Sequence, residues 1–149
     1  MPMRKNISVI DAITFIYGVK VECKELEEVR VKYSKTGMPR YIIDRNGKRL
    51  FTVRSSDGLL TLSEESAKIL FDCLPGKVGK VYVTELPTKT VFNKHVVDAD
   101  ENLLRGVDAL IVKDDELIAY GRTVVSGREM ITLNMGEAIK VRGKLDWRK

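Results

Sequence analysis

His95 is the one histidine in the chain, so any chemistry that needs an imidazole has a single place to run. It follows Lys94 at the start of a predicted strand, where a surface or hydrogen-bonded structural role is expected over a catalytic one. Cys23 and Cys73 have no Cys-x-x-Cys partner and no histidine nearby. They form neither a zinc pattern nor a disulfide framework, and plain buried thiols in a reducing cytoplasm are expected. Acids cluster at Asp98-Ala99-Asp100-Glu101 and at Asp114-Asp115-Glu116. Paired carboxylates can bind a cation or share proton transfer. Both groups fall in predicted turns, however, and solvated loop acids are the commoner outcome there. No phosphate-cradling glycine motif and no His-x-x-Glu-His pattern occurs. No catalysis, cofactor or metal is therefore expected of this chain by itself.

Cations offer a different chemistry. The net charge is +5, and most of the excess sits at 139–149, where Lys140, Arg142, Lys144, Arg148 and Lys149 stand against Asp146 alone. A solvated basic tail and a polyanion-binding face both fit. Lys140, Arg142 and Lys144 alternate with other residues along a predicted strand, so all three are expected to point the same way. Lysine and arginine on one face bind phosphates through counterion release, with no sequence reading required.

The elements that must position these groups follow from periodicity. Ala109–Val112 and Leu117–Val125 are β-branched runs flanking Lys113-Asp114-Asp115-Glu116, which predicts an antiparallel hairpin. Gly121 interrupts the second run, marking a bulge or a close backbone approach. Arg122, directly after it, reads as either a phosphate contact or an internal hydrogen-bonding residue. Ser126 caps a short helical turn, and Gly136 leads into the final strand. Earlier, Ser8 to Tyr17 carries an apolar helical stripe ending at Gly18. Val29–Tyr33, Arg40–Asp44 and Arg49–Arg54 alternate as strands, with Asn46-Gly47 as a hairpin turn. Asp57-Gly58 turns into Leu59–Leu62, Ser63-Glu64-Glu65-Ser66 opens a helix over Ala67–Leu74, and Pro75-Gly76 ends it. The whole reads as α+β: an N-terminal α+β module with an antiparallel sheet at 1–76, then a small β-barrel at 77–149.

With 149 residues and 44% hydrophobic content, the chain can bury a core as one domain or two small ones. The apolar run near the start is broken by Asp11, Thr14 and Gly18, and no leader pattern precedes it. Secretion and membrane spanning are not expected, and a cytoplasmic protein is.

Leu104-Arg105-Gly106-Val107-Asp108, the hairpin, Gly121-Arg122, Ser126-Gly127-Arg128-Glu129-Met130 and Gly136 to Arg142 together resemble a PUA domain, the small RNA-binding barrel of pseudouridine synthases and archaeosine transglycosylases. Upstream, Arg40 to Gly47, Thr52 to Leu62, Ala67 to Leu70, Lys80 to Val83 and Val91 to Asp100 are similar to the module preceding that domain in archaeosine tRNA-guanine transglycosylase. Where the family often has proline ahead of its Gly-x-Asp element, this chain has Leu104-Arg105. The family's catalytic barrel, with its aspartate nucleophile and zinc site, has no counterpart in these residues. The resemblance implies an archaeal, tRNA-modification setting. It maps the RNA-gripping surface onto Lys89, Phe92, Lys94 and His95, with Arg105-Gly106 as the adjoining loop. Phe92 and Tyr120 could stack on bases or lie in the core. Trp147 could cover the barrel end or stay exposed.

The leading expectation is a non-catalytic RNA-binding protein that holds a tRNA acceptor stem for a separate transglycosylase or archaeosine synthase subunit. A ribosome-biogenesis factor using the same barrel on rRNA is the alternative. A third is an interaction module whose apolar first helix, through Val9, Ile13, Ile16 and Tyr17, docks on a partner protein.

Overall fold

The computed structural model describes residues 8–145. Trp147, Arg148 and Lys149 lie outside the described residues. Two compact units are present, 1–73 and 74–149.

The first unit opens with α1 (Val9–Tyr17). The Ser8 hydroxyl accepts from the Asp11 amide at 3.1 Å, satisfying one free N–H of the first turn. Gly18 closes the helix at φ 76°, a left-handed cap that glycine adopts without a Cβ penalty. Val9, Ile13, Ile16 and Tyr17 are all buried, Ile13 to 1% exposure. This corrects the docking-helix expectation: the apolar stripe is used up inside the chain, because it has core to cover there. Strands β1 (Arg30–Tyr33), β2 (Pro39–Ile43), β3 (Arg49–Val53) and β4 (Leu60–Leu62) form an antiparallel sheet in chain order. Between β2 and β3, the Asp44 carboxylate accepts from the Asn46 and Lys48 amides at 2.9 Å while Gly47 takes φ 83°. That local bonding sets the hairpin. One sheet face presents the row Val31–Ile42–Phe51–Leu62. Helix α2 (Glu64–Cys73) packs on β3 and β4. Ile42, Leu50, Phe51, Ala67 and Leu70 form the core, each large side chain contributing about 1.5–3 kcal/mol by burial.

Cys23 and Cys73 are joined by a disulfide with Cα atoms 5.7 Å apart. The expectation of two separate thiols is thus overturned. The residues are 50 apart in sequence, and only the packing of α2 brings its last residue to Cys23, which precedes a 3-10 turn at Lys24–Leu26.

The second unit contains β5 (Lys80–Val83), β6 (Thr90–Phe92), β7 (Val96–Ala99), β8 (Asp108–Lys113), β9 (Glu116–Thr123), α3 (Gly127–Thr132) and β10 (Glu137–Lys144). Its sheet runs β6-β10-β9-β8-β5-β7 and curls into a half-barrel. The β8–β9–β10 pairings are antiparallel as expected, whereas β5 and β8 pair in parallel. Strand β8 is flanked on both edges and reads Asp-Ala-Leu-Ile-Val-Lys with both faces buried up to Val112. A continuous apolar run suits that central place. The β8–β9 turn is only Asp114-Asp115, at φ 52° and 63°. Left-handed values at both positions give the strand twist a two-residue hairpin needs. Asp100 departs from the solvated-acid expectation. It is 7% exposed, and its carboxylate accepts from the Gly79 and Asn102 amides at 2.9 Å. A turn that must be buried carries its own acceptor. Lys80, also buried, donates to the carbonyls of Leu74 at 3.0 Å and Gly76 at 2.6 Å. No helix among the described residues is long and apolar enough to cross a membrane.

Candidate nucleic-acid interface

Thr123, at the end of β9, is the residue on which the candidate site is assembled. Its hydroxyl donates to the Leu104 carbonyl at 2.8 Å and accepts from the Val107 amide at 3.2 Å. The Gly106 amide donates to the Thr123 carbonyl at 3.0 Å. With Leu103 buried as an anchor, the Leu104–Val107 loop is laced to the strand end. Gly106 sits at φ 84°, a conformation costly for any residue with a Cβ. Arg105 is therefore held out beside Arg122.

Lys140 joins them through the sheet. It pairs with Arg122 on β9 and with Thr90 on β6, so the row Thr90–Lys140–Arg122 crosses three strands on one face. Gly121 makes this possible: a Cβ there would overlap the Lys140 carbonyl, so β9 and β10 approach closely only because the position is glycine. Both readings of Gly121 are met: the close approach at the residue itself, and a bulge directly across from it on β10. Arg105, Gly106, Arg122, Thr123, Val124 and Lys140 line one open cavity of about 290 Å³. Among the described residues, none of its three cations forms an ion pair. Glu129 lies close enough to Arg105 for the charge to help hold its carboxyl below the usual range, although hydrogen bonds from Ser126 are the main cause. Three cations converging with no ion pair among them repel one another unless an anion enters, and guanidinium groups match phosphate oxygens two at a time.

A second concavity, about 180 Å³, lies along β6 and is lined by Glu85, Leu86, Pro87, Thr88, Thr90, Val91, Phe92 and His95. Phe92 is 41% exposed, and the His95 ring meets it edge-on with centroids 6.4 Å apart. His95 Nε2 lies 3.5 Å from the Glu85 carboxylate. Thr90 lines this concavity and pairs with Lys140 of the first. A flat ring on Phe92 and a phosphate among the cations are thus compatible with one strand of nucleic acid.

The other expected residues are placed differently. Lys89 and Lys94 are exposed at the two ends of β6, where the Lys89 carbonyl accepts from the Val141 amide at 2.9 Å. Lys140, Arg142 and Lys144 do not share one face. A register shift between Val141 and Gly143 leaves Arg142 without a partner on β9 and puts Lys144 opposite Ala119, on the side of Ala119 and Gly121. One extra residue inverts the alternation, which period-two counting cannot anticipate. Tyr120 takes the packing role, its ring lying where a side chain at residue 143 would be. Sequence reasoning missed Thr123. A threonine on the inward face of a strand, next to a loop needing hydrogen-bond partners, was the available signal. It also missed Asn93, a buried residue whose side-chain amide donates to the Met135 carbonyl at 2.9 Å and ties the loop before β10 to β6.

Each of the two units matches a described domain. Residues 8–77 match the family described as the patch-forming domain C2 of tRNA-guanine transglycosylase, and residues 82–145 match the PUA domain. The tRNA-guanine(15) transglycosylase of Methanocaldococcus jannaschii is 40% identical over 89% of this chain, and that of Pyrococcus furiosus is 43% identical over 82%. The chain spans about a fifth of each of these relatives, 22% of their length, within their C-terminal part. A crystallised hypothetical protein of Pyrococcus horikoshii shares the fold, at 24% identity and a TM-score of 0.62 over 91% of this chain and 87% of its own. The chain is accordingly a PUA-domain protein whose two units resemble the C-terminal modules of the archaeal tRNA-guanine transglycosylases.

Proposed function

We propose that this protein binds RNA, with the acceptor stem of a tRNA as the favoured ligand, and holds it for a separate catalytic subunit of transglycosylase or archaeosine synthase type. The observation that carries the binding reading is the convergence of Arg105, Arg122 and Lys140 on one cavity beside a glycine loop. Phosphates fill such a site through charge, and a stem presents them in register. Phe92 and His95, one strand away, would meet an unstacked base. The tRNA-modification setting is supported by the relatives named above, whose C-terminal part this chain matches. Lys89 and Lys94 would add long-range attraction at the rim. A cytoplasmic setting follows from such a ligand.

Filter binding of a tRNA transcript over a salt series tests this. Affinity should fall steeply with salt, and R105A/R122A/K140A should flatten the slope by about 2 to 3, at roughly 0.9 for each duplex phosphate no longer neutralised. Salt-independent binding, or an unchanged slope in the variant, defeats the reading. Co-purification of a transglycosylase-type subunit tests the second half.

A further inference from the structure

The four strands of the first unit contain Arg30, Lys32, Arg40 and Arg49 and not one aspartate or glutamate. Register places three of these cations on the sheet face opposite the apolar core. Arg30 pairs with Ile43, which pairs with Arg49. Lys32 pairs with Tyr41, in the row Lys32–Tyr41–Thr52–Thr61. The Arg49 guanidinium lies over the Tyr41 ring, 4.1 Å from its centroid, and that of Arg40 lies 5.1 Å from the same centroid. All four cations are exposed, and among the described residues none forms an ion pair. By contrast Arg45, Lys48, Arg54 and Lys68, which lie outside these strands, each meet a carboxylate. Beside the Tyr41 ring lies an open cavity of about 910 Å³, walled by Arg40, Tyr41, Thr52 and Ser55, by the apolar Met38, and by Asp57, whose carboxylate is already paired with Arg54 at 3.1 Å.

Edge protection explains part of this pattern. Strand β1 is at the sheet edge, where lysine and arginine discourage pairing with another chain. Arg40 and Arg49 are on the interior strands β2 and β3, which need no such protection. Their stacking on Tyr41 holds two guanidinium groups in place in the free protein, so little rotamer freedom remains to be lost on binding. Strands that hold no carboxylate, with guanidiniums fixed on Tyr41 and hydroxyls from Thr52 and Thr61 in the same row, fit a phosphodiester backbone.

We propose that this sheet face is a second RNA-binding surface, gripping backbone phosphates through Arg30, Lys32, Arg40 and Arg49 independently of the PUA cavity. The proposal rests on the RNA reading above for the class of ligand, while its residues lie wholly in the other unit.

The test is fluorescence anisotropy of a labelled tRNA transcript with the full chain over a salt series, comparing R30A/K32A/R49A with R105A/R122A/K140A. The sheet variant should weaken binding and lower the log–log salt slope by about 2 to 3, at roughly 0.9 per neutralised duplex phosphate. The charge-preserving R30K/K32R/R49K should keep the wild-type slope, which separates charge loss from misfolding. If the sheet variant binds with wild-type affinity and slope while the PUA variant is weakened, this proposal falls, the RNA reading stands, and an acidic protein is left as the occupant of the face. If only the sheet variant is weakened, the PUA reading falls and this one holds. If wild type does not bind, both fall.

Discussion

At the scale of single residues, the candidate interface depends on positions that carry no charge. Thr123 spends both its donor and an acceptor on the Leu104–Val107 loop, and Gly121 permits the approach that sets Lys140 beside Arg122. The glycine gives the sharper prediction. In G121A the new Cβ would meet a main-chain carbonyl of the neighbouring strand, and backbone yields less than a side-chain tip. Thermal unfolding should show a loss of about 1–3 kcal/mol, with tRNA affinity falling as the Lys140–Arg122 pair is pushed apart. An unchanged melting temperature would mean that β9 and β10 separate at no cost. The sequence suggested Arg122 from its place after Gly121, and Lys140 from the spacing of charges along the last strand. It could not say that the threonine between strand and loop decides where Arg105 goes.

At the scale of elements, α3 shows how a terminus is stabilised by its own cap. The Ser126 hydroxyl accepts from the Glu129 amide at 3.3 Å, and the Glu129 carboxylate accepts from the Ser126 amide at 3.1 Å. These bonds, first that from the Ser126 backbone, hold the Glu129 carboxyl below the usual range. A carboxylate with a lowered folded pKa adds stability that is present above its unfolded value, about 4.3, and is lost as pH falls through the folded value. The Ser126 amide resonance should therefore titrate below the ordinary glutamate value in nuclear magnetic resonance spectra, and E129Q should abolish that titration. Titration at the ordinary glutamate value would show that the reciprocal bond does not form in solution. Strand β10 teaches the opposite lesson. Its alternation of basic and other residues was plain to read, yet the unpaired Arg142 reverses the facing of everything after it.

At the scale of the molecule, each unit is held by different means. The first is cross-linked by Cys23–Cys73 across 50 residues. Closing a loop of that length removes unfolded-state entropy worth roughly 4 kcal/mol in the chain-entropy account. Dithiothreitol, or C23A/C73A, should lower the melting temperature of the first unit's transition and leave that of the second in place. If neither treatment moves any transition, the bridge adds nothing to stability. The second unit relies on its half-barrel core, in which Leu110, Ile111, Leu117 and Ile139 have no exposed surface.

By itself the sequence determined what local physics can determine. Period-two and period-3.6 patterns, the serine caps at residues 8 and 126, and the Asn46-Gly47 turn specify the elements through bonds spanning a few residues. The motif series from Leu104 to Arg142 specified the PUA-type fold. Tertiary structure alone decided the disulfide, the burial of Asp100, the bulge at Arg142 and the meeting of Arg105, Arg122 and Lys140. Each of these depends on which distant segments become neighbours. That is set by the summed burial of the core, which no local window of residues contains.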